Sequence, residues 1–232
     1  MARELHVTQL PGLVPYDEGV RLQEELREGV EQGRLPDQLL LLEHEPVYTR
    51  GRRTKSEELP MGADWYRAQG IEVCDADRGG AVTYHGPGQL VGYPIMRIEG
   101  VHEYVAALER AIIAALAGQG VQAEVRDGLT GVWAPKGKIA SIGVRVKNRV
   151  SMHGLAVNVD NDLQPFEWVI PCGIQGVAMT SIAKEGGREA NVPAFAATVG
   201  RHFGEVFERE PRAVGLDSVG LEPAPARLGG ER

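Results

Sequence analysis

The sequence predicts an α+β fold, a mixed β-sheet with flanking helices. Three observations lead there. Helical apolar spacing recurs over 16–32, 101–117 and 192–207. Groups of short apolar runs of strand length lie between those helices. No linker-like segment, repeat or low-complexity block divides the body, so the helices and strands belong to one unit.

Each element has its own reason. In 16–32, Leu22, Leu26 and Val30 share a face, Asp17 and Glu18 suit the first turn, and Gly33 and Pro36 end the helix. Leu39 to Leu42 is wholly apolar, as a central strand is. EHEPVYTRGRR then reads as a loop, and Asp64 to Gln69 as a short helix. Strands are expected at Ile71 to Val73 and at Leu90 to Met96, on either side of a glycine-rich stretch. In 101–117, Tyr104, Leu108, Ile112 and Leu116 line one face before Gly118 and Gly120. Val121 to Val125 and Thr130 to Ala134 read as strands, followed by a turn at Pro135-Lys136-Gly137. Lys138 to Lys147 and Ser151 to Val159 read as two long strands around a turn near Asn148 that carries Arg145, Lys147 and Arg149. Val192 to Phe207 is a last helix, capped by Asn191, with Phe195, Val199, Phe203 and Phe207 inward. The organisation expected is a single domain over 1–209 and a loosely ordered tail over 210–232, rich in Pro, Gly and Ala.

Composition excludes several classes. A net charge of −7 argues against nucleic-acid binding. No apolar run is long enough to span a bilayer, and MARELHVTQLPG has no apolar signal core, so the expectation is a cytoplasmic protein without a membrane partner. Two cysteines, Cys74 and Cys172, are too few for a disulfide framework or a cysteine zinc site. The six histidines show no metal-ligand spacing, so no metal is expected. There is no phosphate-binding GxxxxGK[ST] loop and no G-x-S-x-G elbow.

Candidate chemistry concentrates in three places. RGGAVTYHGPGQLVGYP, from Arg78 to Pro94, holds five glycines beside Thr83, Tyr84, His85 and Gln89, more than a plain turn needs, and reads as a ligand-lining loop. In a regular strand from Lys138, that lysine shares a face with Ala140, Ile142, Val144 and Val146. Its ammonium is then either paired or snorkels from the strand end. Cys172 in VIPCGI is framed by Pro171 and Gly173; a nucleophilic thiolate there needs an adjacent cation, which Lys138 could supply, whereas burial is the other reading. Two basic groups, Arg50, Arg52, Arg53, Lys55 and Arg145, Lys147, Arg149, read as solvated surface or as docking patches.

RGGAVTYHGPGQLVGYPI, GKIASIGVRV, HGLAVNV and PCGI with the downstream MTSI resemble the lipoyl(octanoyl) transferase family, and EHEPVYTRGRR resembles its upstream loop. The motifs run from about Glu43 to Ile182 in the family's order. The resemblance implies a fold like the catalytic domain of biotin and lipoate protein ligases. It implies transfer of octanoyl from acyl carrier protein thioesters to a specific lysine of lipoyl domains of 2-oxoacid dehydrogenases and of the glycine-cleavage H protein. It implies an acyl-enzyme on Cys172 with Lys138 as its partner. The acyl site implied is Arg78, Gly79, Gly80, Ala81, Val82, Thr83, Tyr84 and His85, with Ser141, Ile142, Gly143, Gly154, Leu155 and Ala156. No cofactor is implied, since one thioester exchanges for another and aminolysis then gives a more stable amide. Glycines 79, 80 and 143 are expected to leave room for the chain. The alternatives are an ATP-dependent lipoate or biotin ligase on a similar fold and a non-catalytic binder.

Overall fold

The computed structural model describes residues 3–170, 177–188 and 190–222. In chain order the elements are β1 (Arg3–Val14), α1 (Tyr16–Glu31), β2 (Asp37–His44), β3 (Val47–Arg50), α2 (Ala63–Ala68), β4 (Glu72–Asp75), β5 (Val82–His85), β6 (Gln89–Ile95) and α3 (Val101–Gly118). There follow β7 (Glu124–Arg126), β8 (Leu129–Ala134), β9 (Gly137–Lys147), β10 (Val150–Asn158), α4 (Ile182–Glu185), α5 (Val192–Phe207) and β11 (Arg209–Ala213). Among the described residues, eight strands form one sheet in the order β11-β1-β2-β6-β10-β9-β8-β7. The pairs of β1 with β2 and with β11 are parallel, and the rest are antiparallel. A small sheet, β4-β3-β5, stands apart from it. The sheets are mixed and the helices flank them, as the apolar patterns predict.

The faces of the large sheet are covered differently. On one side α3 and α5 bring Leu108, Ile112, Phe195 and Phe203, all fully buried, against Leu39, Leu41, Leu90 and Val157. Full burial of such side chains contributes roughly 1.5–3 kcal/mol each. On the other side α1 presents Leu22, Leu26 and Val30 to Leu40, Leu42, Val91 and Ile95. A third cluster, of Tyr48, Tyr66, Tyr84, Phe166 and Val169, joins the small sheet to α2 and to the 3₁₀ turn Gln164–Trp168. The cap of α5 forms as expected, with Asn191 Oδ1 accepting from Ala194 N at 2.9 Å. No helix among the described residues is long and apolar enough to cross a membrane.

Three expectations are corrected. EHEPVYTRGRR is not all loop, because Val47–Arg50 is the central strand of the small sheet. Four residues after Pro46 are too few to show a period. The tail expected from Glu210 begins as β11, which pairs with β1 from Arg3↔Arg209 to Val7↔Ala213, and Leu216 is buried beyond it. Pro211 made that segment read as coil, yet β11 is an edge strand, where proline is tolerated. The third correction concerns Lys138. In the β8–β9 pair, Val132 faces Ala140 and Trp133 faces Lys138, so Ile139 is an extra residue in a bulge. Both Ile139 and Ala140 enter the core beneath α3 and α5, and Lys138 leaves the face that regular alternation assigns to it.

Candidate active site

A cavity of about 440 Å³ opens on the α1 side of the large sheet. Val91, Tyr93, Ser141, Ile142, Gly143, Gly154, Leu155 and Ala156 of β6, β9 and β10 form its floor. Arg78, Gly80, Ala81, Val82, Thr83 and His85 form one wall, and Phe166, Val177 and Met179 another. Tyr16, at the start of α1, and His153 of β10 also line it and are buried. Arg53, Lys55, Gly128 and Thr130 line it and are exposed, which marks the rim. Of the residues implied by resemblance, Gly79 and Tyr84 do not line the cavity. Gly79 is used in backbone contact, its N–H donating to Val144 O at 2.9 Å. The ring of Tyr84 packs between Tyr48 and Phe166.

Arg78 shapes its wall from within. Its guanidinium donates to the carbonyls of Gly79 (3.0 Å), Ala81 (2.9 Å) and Thr49 (2.8 Å) and to Thr49 Oγ1 (2.7 Å). A tight loop folded around its own arginine needs permissive backbone, and Gly80 supplies it at φ +87°. Gly143 serves the same loop rather than leaving room for a ligand. A Cβ there would lie 2.9 Å from Gly79 O and 3.1 Å from Arg78 Cδ. Asp77 pins the loop to the sheet, accepting from His153 Nε2 at 2.8 Å and pairing with Arg145, which also meets Glu24 at 3.3 Å. Arg145 is therefore spent inside the fold and does not belong to an exposed basic tip.

A chain of buried hydrogen bonds runs beneath the wall. Asn158 Nδ2 donates to Thr180 O (3.0 Å), and Gln89 Nε2 donates to Asn158 Oδ1 (2.9 Å). Gln89 Oε1 then accepts from His85 Nδ1 (2.7 Å), which leaves His85 Nε2 facing Thr49 Oγ1 at 3.5 Å. Burial pushes His85 down to about 3 and His44 down to about 4, and lowers His153, so all three are neutral at physiological pH. His44 Nδ1 donates to Val14 O (2.7 Å), and its Nε2 accepts from Tyr93 Oη (2.6 Å). These imidazoles brace the walls.

The bulge places Lys138 on the cavity. Its Nζ donates to Thr130 O at 3.0 Å and lies 5.6 Å from the centre of the Trp133 ring. The strongest organising contacts are in its main chain. Lys138 N donates to Ala178 O (2.8 Å), and Thr180 N donates to Lys138 O (3.0 Å). Upstream, Ile170 N donates to Glu58 O (3.0 Å), and Glu58 also lines the cavity. Cys172 itself lies outside the described residues, but the described chain on both sides of it borders this cavity.

Several lining residues carry no mark in the sequence reading. Tyr16 reads there only as the start of a helix, and Tyr93, though inside the Arg78–Pro94 stretch, is given no role of its own. The Asp77–His153 contact joins residues 76 positions apart.

This sheet, with a cavity walled by a glycine-rich loop, defines a class. Residues 15–204 match the family described as the lipoyl protein ligase A/B catalytic domain. The bipartite lipoate protein ligase of Thermoplasma acidophilum superposes with a TM-score of 0.72 at 16% identity, over 93% of this chain and 87% of that one. A lipoate-protein ligase A bound with ATP gives 0.73 at 16% identity, over 93% and 89%. Those two likenesses establish the fold. Within the class, the octanoyltransferase of Rubrobacter xylanophilus is 44% identical over 207 residues, 88% of this chain and 94% of its own length. That of Geobacter sulfurreducens is 45% identical over 192 residues, 81% and 79%. The chain belongs to the octanoyltransferase family, a family of acyltransferases.

Proposed function

We propose that this octanoyltransferase takes its acyl group from an octanoyl-acyl carrier protein thioester and passes it, through a thioester on Cys172, to a lysine of a lipoyl domain or of the glycine-cleavage H protein. The observation that carries the reading is the pairing of Lys138 with the chain at 178–180, just beyond the Cys172 segment, on the wall of a cavity floored by apolar strands.

The steps follow from the groups available. A Cys172 thiolate attacks the thioester carbonyl, the carbon–sulfur bond to the carrier breaks, and the carrier leaves as a thiol after taking up a proton. The acceptor lysine, as the free amine, attacks the new thioester, losing a proton as the amide forms and the cysteine thiolate leaves. Lys138 is the proton carrier in both steps, and as an ammonium it favours the thiolate. Buried neutral histidines leave that task to the lysine. Sequestering the eight-carbon chain contributes about 0.8 kcal/mol per buried CH₂. A cytoplasmic setting fits a free thiol nucleophile.

The test is octanoyl transfer from carrier protein to lipoyl domain with ATP omitted. Transfer should proceed, and Cys172→Ala should lose at least about 10³-fold in rate. A strict ATP requirement would point instead to the ligase reading.

A further inference from the structure

We propose that Arg53 and Lys55, on the rim of the cavity, bind the phosphodiester of the pantetheine arm that carries the donor's octanoyl thioester. The inference rests on the thioester donor proposed above and adds a recognition site to it.

The two basic segments have spent their charge differently. Arg50 pairs with Asp75 at 2.8 Å, and Arg145 pairs with Asp77 and Glu24. Arg53 and Lys55 are exposed, line the cavity, and enter no ion pair among the described residues. Glu58, the carboxylate on the same stretch of lining, is buried and turned inward, accepting from Val82 N at 3.1 Å. The rim therefore presents two neighbouring cations whose nearest lining acid faces away.

These cations are also held in register with the acyl wall. Arg52 N donates to Arg78 O (3.1 Å), Arg53 N to Gly80 O (3.0 Å) and Thr54 N to Gly51 O (3.0 Å). The turn bearing Arg53 and Lys55 is thus bolted to the loop that walls the acyl cavity. A thioester whose acyl chain lies inside must trail its arm out past the rim, where a phosphate meets a guanidinium and an ammonium on preformed backbone. An acyl-adenylate also carries a phosphate, so the test separates the two sources.

The experiment compares octanoyl-4′-phosphopantetheine, octanoyl-pantetheine and octanoyl-adenylate as donors to a lipoyl domain, without ATP. The readout is the ratio of kcat/KM between donors, so a general loss of fold or catalysis cancels. The native protein should prefer the phosphorylated thioester by about tenfold, the worth of one charge-assisted hydrogen bond. In the Arg53→Gln/Lys55→Gln double variant that ratio should fall to near one. A native ratio near one, a ratio unchanged in the variant, or a loss confined to octanoyl-adenylate would overturn the inference. Failure of the native protein to use either thioester would instead overturn the function proposed above, and the inference with it.

Discussion

The two faces of the large sheet do different work with the same strands. Beneath α3 and α5 the contacts are Leu, Ile, Val and Phe, with Phe203 stacked on Phe207 at 4.2 Å. On the cavity side, buried Arg78, His85, Gln89, His153 and Asn158 are held by directed hydrogen bonds. The first face is cohesive and tolerant of chemistry, so it carries stability. The second adds polar, geometrically exacting contacts to the apolar packing of α1, so it also carries position. Strand β9 contributes to both, and a one-residue bulge decides that Lys138 falls on the second.

That division can be broken most sharply at Lys138. Lys138→Ala should lower kcat by about 10²–10⁴-fold while KM moves only a few-fold. Steady-state kinetics with octanoyl carrier protein reads both; comparable losses in affinity would make the lysine structural. On the opposite face, Phe195→Ala should cost about 3–5 kcal/mol in urea unfolding and leave kcat per folded molecule near native. A selective loss of kcat would erase the distinction between the faces.

The buried imidazoles give a pH signature. Burial depresses the folded-state value of His44 to about 4, against about 6.5 unfolded. Below about pH 6.5 the unfolded chain therefore binds a proton that the folded one refuses, so stability falls as pH drops toward 4. The contribution is on the order of 3 kcal/mol over that window. Unfolding at pH 7.5 and 4.5 should show a smaller difference in His44→Gln than in the native protein; equal differences would count against a neutral buried His44. The smallest effect is expected at the distal hairpin. Lys147 lies about 30 Å along β9 from Lys138, at roughly 3.3 Å per residue, and Arg149 follows in the turn before β10. Reversing both charges should change carrier KM less than twofold at low salt, and a larger rise would restore a docking role there.

How much of this was legible in the sequence follows physical range. Helices announce themselves within a few turns, as Leu22, Leu26 and Val30 do for α1, and the Asn191 cap is local. The α+β class follows from such elements. The motif residues around Arg78, Lys138, Ser141 and Gly154 come to one cavity, apart from Gly79 and Tyr84. The bulge at Ile139 was hidden because Gly137 beside it reads as the end of the preceding turn and Gly131, which lies across from it, belongs to β8 and is outside the pattern of β9. The Thr49–His85–Gln89–Asn158 chain was hidden because its members come from four separate strands. Strand β11 was hidden because its partner, β1, lies at the other end of the chain.

The proposed thioester is the centre of the account, and peptide mass spectrometry tests it most directly. The protein is mixed with octanoyl carrier protein in the absence of acceptor, quenched in acid and digested. One octanoyl group should be found on the peptide containing Cys172, and it should disappear when a lipoyl domain is added, as the acceptor gains the same mass. Octanoylation of the acceptor at the native rate, with no acyl-enzyme at any time and with Cys172→Ala equally active, would contradict the account.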